Sequence, residues 1–223
     1  MRPPRHDFWQ VRHRARCPTV NAVTALLWAG AAGALLFPLI FLLDGWTRPG
    51  YRPTYHPVSA LALGARGWLQ TANFLICGTA IAVGAVAIAP ALGSLPLALV
   101  IGGFGLSLVA SGAFAMDPMR SYPPGTPEGD PHEFSVRHTL HDWAGMFVFG
   151  LAPLAALIAA WVVPGAGWTI YSAGTAAAGT IAFLAFGHAW ERDHPRTGLV
   201  QRLAIIVGWL WLGLLFLRAA TAG

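Results

Sequence analysis

Lysine is absent from the 223 residues, and only nine acids stand against 14 arginines. Charged residues make up 10% of the chain, where a soluble domain carries about 25%, so there is too little charge to cover the outside of a water-soluble fold. Two cysteines, Cys17 and Cys77, are too few and too differently placed for a disulfide framework or a thiolate metal site. Five of the arginines crowd into the first 16 residues, so the net charge of +5 is local. It reads as a membrane-orientation signal, and no nucleic-acid partner is expected. What the chain has in excess is apolar surface: 56% of its residues are hydrophobic and the mean hydropathy is +0.57. That surplus must face lipid.

A bilayer core of roughly 30 Å takes about 20 apolar helical residues. Six such runs are present, at about 20–43, 68–88, 97–116, 140–163, 169–187 and 203–217, separated by proline, glycine and charge clusters. The expected fold is an all-α bundle of six transmembrane helices over residues 20–219, preceded by a basic arm at 1–19. The first run is longer than a signal-peptide core and is expected to be retained. Gly102, Gly103, Gly105 and Gly112 in the third run, and the stretch Ala173 to Gly179 in the fifth, are expected to pack helices closely.

Six spans put both termini on one side of the membrane. The cluster Arg2, Arg5, Arg12, Arg14 and Arg16 directly precedes the first span, which places the termini in the cytoplasm and the charged loops outward in a plasma membrane. Those loops hold six of the eight histidines and eight of the nine acids, so the protein has one polar face. Ionisable groups at a membrane edge are costly and mark a functional site by default.

The connection MDPMRSYPPGTPEGDPHEFSVRHTLHDWAG, from Met116 to Gly145, is the densest part of that face. Asp117 leaves the third span, Ser135 is positioned to cap the fourth helix, and His138, His141 and Asp142 follow at i, i+3 and i+4 on one helix face. Two imidazoles and a carboxylate there have the donor chemistry for zinc, with Asp117, His56 or His188 completing the shell. The structural alternative is that His138 and Asp142 bond each other across one turn and His141 satisfies a loop carbonyl. In the first outer connection, Tyr55, Arg48, Arg52, His56 and Ser59 are candidates to line a pocket, with Ser59 orienting water or substrate. The stretch VSALALGARGW reads there as a short interfacial helix that His56 and Ser59 alternatively cap. In the last, Glu191, Arg192, Asp193 and Arg196 are expected to satisfy one another, while Gln201 and Arg202 enter the sixth span. Arg202 then needs a partner at membrane depth, either Asp117 or a lipid headgroup.

The block YRPTYHPVSALALG before the second span, MDP ending the third, HTLHDWAG opening the fourth and GLVQR opening the sixth resemble the bacterial membrane proteins grouped as domain of unknown function 998. The resemblance covers nearly the whole chain after the arm. It implies a six-helix bundle, marks Ser59, Asp117, His141, Gly198, Gln201 and Arg202 as matching positions, and implies no activity. At greater distance the pattern is similar to stress-linked membrane modulators related to autophagy and lipid-asymmetry regulators. It is also similar to the zinc-dependent intramembrane hydrolases related to alkaline ceramidases, which instead carry seven spans and an H-x-x-x-H pair on the last helix.

The leading expectation is an integral membrane enzyme acting on a lipid or isoprenoid-like amphiphile. Its catalytic groups would be Asp117, Ser59 and Asp142, its zinc ligands His138, His141, His56 and His188, and its substrate contacts Tyr55, Arg48, Arg52, Arg202 and Gln201. Metal-dependent hydrolysis and acid catalysis both fit. The alternative is a non-enzymatic lipid-binding or regulatory protein. A third reading is a haem-bearing electron carrier with His141 and His188 as axial ligands.

Overall fold

The computed structural model describes residues 18–221, with the first four of these as backbone only. The basic arm with its five arginines and Cys17 lies outside the described residues, except for the last two positions of the arm. Seven α-helices follow in order: α1 Pro18–Thr47, α2 Gly67–Ala85, α3 Ile88–Leu92, α4 Leu95–Ala113, α5 Val136–Val162, α6 Ala166–Glu191 and α7 Thr197–Thr221. All but the one-turn α3 are long and apolar enough to cross a membrane. No strand occurs among the described residues. The chain is an integral membrane protein with an all-α fold.

Helices α1, α6 and α7 outrun the apolar stretches that announce them, whereas α4 stops at Ala113, short of the expected 116. The last expected span begins at 203, yet α7 starts at Thr197 and takes Gln201 and Arg202 into its first two turns. Polar ends extend a helix past the segment that hydropathy detects. The second span closes at Ala85 instead of 88, because the chain turns there into α3, which Gly93 ends at φ 68°. The Ser94 hydroxyl then accepts from the Leu97 amide to cap α4. Ser135 caps α5 as expected, its hydroxyl accepting from the His138 amide at 3.1 Å. The expected interfacial helix is a short 3-10 turn, Val58–Ala62. Pro38 and Pro153 sit inside α1 and α5, which continue through them.

The six spans close a ring in the order α1, α2, α4, α5, α6, α7, with α7 packing back on α1. Aromatic side chains fill its middle. Trp209 of α7 stacks on Phe37 of α1 at 5.4 Å and meets Phe104 of α4 edge-on at 4.7 Å, all fully buried. Close approach is concentrated in one half of the ring. A Cβ on Gly105 would stand 2.6 Å from the Ala82 amide nitrogen, and one on Gly112 would stand 2.6 Å from the Phe74 Cβ. The small residues of α6 behave differently, since a Cβ on Gly174 would meet nothing within 4 Å. That stretch lines an open groove beside α5 and does not form the tight contact expected of it.

Candidate functional site

One end of the ring carries the polar loops, and three helix ends build the site there. Helix α4 stops at Ala113, leaving carbonyls of its last turn without helical partners. His141 of α5 fills that gap: its Nδ1 lies 3.0 Å from the Ser111 carbonyl and 2.8 Å from the Phe114 carbonyl. Carbonyls only accept, so Nδ1 carries the proton and, in the neutral ring, Nε2 presents its lone pair. The Ser59 hydroxyl is 2.9 Å from that Nε2 and donates to it. His141 is buried and Ser59 half-buried.

Ser59 is held by α7. The Val58 amide donates to Gln201 Oε1 at 2.7 Å, and the Gly198 and Leu199 amides at the start of α7 donate to the Tyr55 and Thr54 carbonyls at 3.1 and 2.9 Å. Gly198 permits this approach, because a Cβ there would stand 2.4 Å from the His56 carbonyl oxygen. The buried Arg202 guanidinium binds the Tyr51 hydroxyl, the His56 carbonyl at 3.1 Å and the Gly198 carbonyl at 2.9 Å. Its partners are thus Tyr51 and two carbonyls, and neither Asp117 nor a headgroup is needed to satisfy it. With Oε1 engaged, the amide nitrogen of Gln201 has no acceptor among the described residues.

Ser59, His141 and Gln201 form the polar end of a cavity of about 290 Å3 whose other walls include Met116, Met146, Phe149, Phe183, Phe186 and Trp190. Asp142 and Glu191, both exposed, line it as well. A recess of about 30 Å3 behind the pair is lined by Ser59, His141, Gln201 and Trp209 among others. The Trp209 indole N–H is buried without an acceptor among the described residues.

The remaining expected site residues lie elsewhere. His138 faces away from His141, with Nδ1 accepting from the Asp117 amide at 2.9 Å, Nε2 3.2 Å from Asp142 and its ring stacked on Phe134. Asp117 accepts from the Ser135 amide and hydroxyl, both at 2.7 Å. Burial alone would raise its pKa, but these bonds and the nearby His138 and Arg137 hold it below the usual carboxylate range. Arg48 is buried against Asp44, which also binds Arg66 at 2.6 Å. Arg52 is exposed, stacked 4.4 Å over Tyr55, and Tyr55 donates to Asp193 at 2.6 Å. None of Arg48, Arg52, Tyr55 and Arg202 lines the cavity, so the expected headgroup grip is not assembled there. Among the described residues no three His, Cys, Asp or Glu side chains gather as a metal set. Of the expected haem pair, His188 is exposed on α6 and both ring nitrogens of His141 are hydrogen-bonded.

His56 is buried and locked, Nδ1 accepting from the Arg52 amide at 2.9 Å and Nε2 donating to the Arg120 carbonyl at 3.0 Å. It holds the loop and does not cap the 3-10 turn. Burial, with Arg52, Arg202 and Arg120 nearby, depresses its pKa to about 4. The unfolded chain takes up the proton near pH 6.5. Unfolding therefore binds a proton between these values, and stability present above about pH 6.5 is lost as pH falls towards 4, by about 3 kcal/mol. Thermal unfolding in detergent across that window checks this, and His56→Gln should flatten the slope.

Two features escaped the sequence. Phe183, Phe186 and Trp190 follow at i, i+3 and i+7, a helical face that spacing alone reveals. Arg120 had no such signal. It is buried at φ 53°, paired with Asp130 at 2.7 Å and Asp193 at 3.3 Å and stacked 3.9 Å over Trp190, so it ties the long loop to the end of α6. Asp193 is thereby drawn out of the expected network with Arg192 and Arg196.

No curated protein and no solved structure matches the chain. Residues 31–218 match the family described as protein of unknown function (DUF998). The match covers nearly all of the bundle, from the first span to the last turns of the sixth, and takes in Ser59, His141 and Gln201. The chain belongs to the DUF998 family.

Proposed function

We propose that this protein is an integral membrane acyl hydrolase that cleaves a lipid ester with Ser59 as nucleophile and His141 as base. The observation that carries the reading is the 2.9 Å bond from the Ser59 hydroxyl to His141 Nε2 at the end of an apolar cavity. A serine is a weak nucleophile until an adjacent base takes its proton, and the base needs a third group to fix its tautomer. The Ser111 and Phe114 carbonyls do this for His141.

Ser59 Oγ attacks the ester carbonyl carbon while its proton passes to His141 Nε2. The Gln201 amide donates to the developing oxyanion. As the bond to the leaving alcohol breaks, His141 returns the proton to that oxygen, leaving an acyl group on Ser59. A water in the recess of about 30 Å3, which has room for one, then attacks the acyl carbon. His141 takes its proton and passes it to Ser59 as the fatty acid departs. The residues expected to bind zinc do not fit a single coordination set, and no step uses a metal. Acid catalysis on an isoprenoid is the weaker reading, because Asp117 is held ionised by Ser135.

We place the termini in the cytoplasm on the strength of the arginine cluster at the first span, which puts the Ser59 pair at the outer face. A fluorophosphonate probe tests both points. It labels wild-type protein and not Ser59→Ala, and a membrane-impermeant form labels intact cells. Label persisting in Ser59→Ala would refute the nucleophile, and labelling only after cell lysis would reverse the orientation.

A further inference from the structure

Below the cavity the rings of Phe149 on α5 and Phe183 on α6 stack face to face at 5.5 Å. Further along the same two helices lies a groove of about 600 Å3, lined by Gly150, Pro153 and Leu157 on one side and Ala173, Ala177 and Ile181 on the other. From Gly187 beside the cavity to Ala173 at the far end is fourteen positions of α6, about 21 Å at 1.5 Å per residue. Half of a bilayer core is about 15 Å. Cavity and groove together therefore extend from the membrane edge past the midplane. Small residues, Gly150, Ala173, Ala176 and Ala177, line the groove, and a Cβ on Gly150 would meet nothing within 4 Å. The two helices that form it are also the least buried spans of the bundle.

The polar end is equally selective. Asp142 and Glu191 line the cavity and no arginine does, so a phosphate head would meet two carboxylates and no countercharge. The unpaired Gln201 amide and the Ser59 hydroxyl suit an uncharged ester.

We propose that the substrate is a single-chain acyl ester with an uncharged polar head, drawn from the same leaflet, whose acyl chain lies in the α5–α6 groove. This rests on the Ser59–His141 reading and adds the chain site and the head selectivity. The groove contributes position more than affinity, because a chain leaving lipid for an apolar groove gains little from desolvation.

The test compares a long-chain monoacylglycerol in neutral vesicles with a short water-soluble ester. Ala177→Phe, which fills an exposed position of the groove, should lower kcat/KM for the long-chain ester on the order of 10²-fold through misplacement of the reacting carbonyl. Turnover of the short ester should be unchanged, and an anionic lysophosphatidic acid should be a poor competitor. Equal losses on both esters, no loss on either, or equal competition by the anionic lipid would overturn the proposal. A second arm is independent of turnover. In Ser59→Ala, a diazirine-bearing monoacylglycerol should label residues 150–181 saturably, and Ala177→Phe should remove that label. Label spread evenly over all lipid-facing helices would overturn the chain site, whereas absence of Ser59-dependent turnover with the label intact would refute only the hydrolase reading.

Discussion

If Ser59 and His141 hydrolyse a lipid ester as proposed, His141→Ala and Ser59→Ala should each lower kcat by roughly 10⁴-fold or more, and the double variant should be no slower than either single one. Residues that act as one unit are grossly non-additive, because once the base or the nucleophile is gone the other has nothing to act with. Gln201→Leu is the graded companion. Loss of one oxyanion donor costs about 10² to 10³ in kcat and leaves KM nearly unchanged, since the bond forms in the transition state. Gln201 also receives the Val58 amide, so Gln201→Glu serves as a control that keeps the acceptor and removes the donor. Asp117→Asn separates chemistry from scaffold. It weakens the bonds to Ser135 that open α5 and should lower the unfolding temperature, with turnover per folded molecule preserved. Steady-state kinetics in vesicles, normalised to folded protein by size-exclusion chromatography, checks the set.

Asp44→Ala should be the most damaging change away from the cavity. Asp44 is 3% exposed and Arg48 7% exposed, and the carboxylate binds Arg48 and Arg66 together. Breaking a buried pair by removing one partner costs about 3 to 5 kcal/mol, because the surviving charge stays buried without compensation. Arg48 would keep the Leu63 and Arg66 carbonyls at 3.2 and 3.0 Å, which hold its geometry but not its charge. Asp44→Asn keeps the shape and one acceptor and should cost less. Unfolding temperatures in detergent order the three proteins as wild type, Asp44→Asn, Asp44→Ala. Equal stability of Asp44→Ala and wild type would show the pair to be idle.

The bundle was legible because its signal is long: six apolar runs need no partner to be recognised. The one-sided polar face was legible for the same reason, being a property of distribution. Ser59, His141 and Gln201 were each visible as candidates, but their union was not, since 82 residues separate Ser59 from His141 and neither span order nor spacing brings them together. His138 and His141 follow the alternative that the sequence left open, in which His138 bonds Asp142 and His141 satisfies carbonyls. Their i, i+3 spacing suggests a shared ligand, yet the Ser111 and Phe114 carbonyls at the end of α4 claim one ring and the Asp117 amide claims the other. Short-range geometry proposes such pairs, and the nearest unsatisfied backbone group decides between them. Arg202 followed the same rule, finding carbonyls and Tyr51 in place of a carboxylate.

The ring of helices has a consequence for biosynthesis. Helix α7 is the most buried span, it closes against α1, and it supplies Gly198, Gln201 and Arg202 to the loop that carries Ser59. A ribosome delivers α7 after the other five spans, so those reach the bilayer with Trp209's place empty between Phe37 and Phe104 and the Ser59 loop unanchored. The bond between Ser59 and His141 gains its α7 support only once that helix is in place.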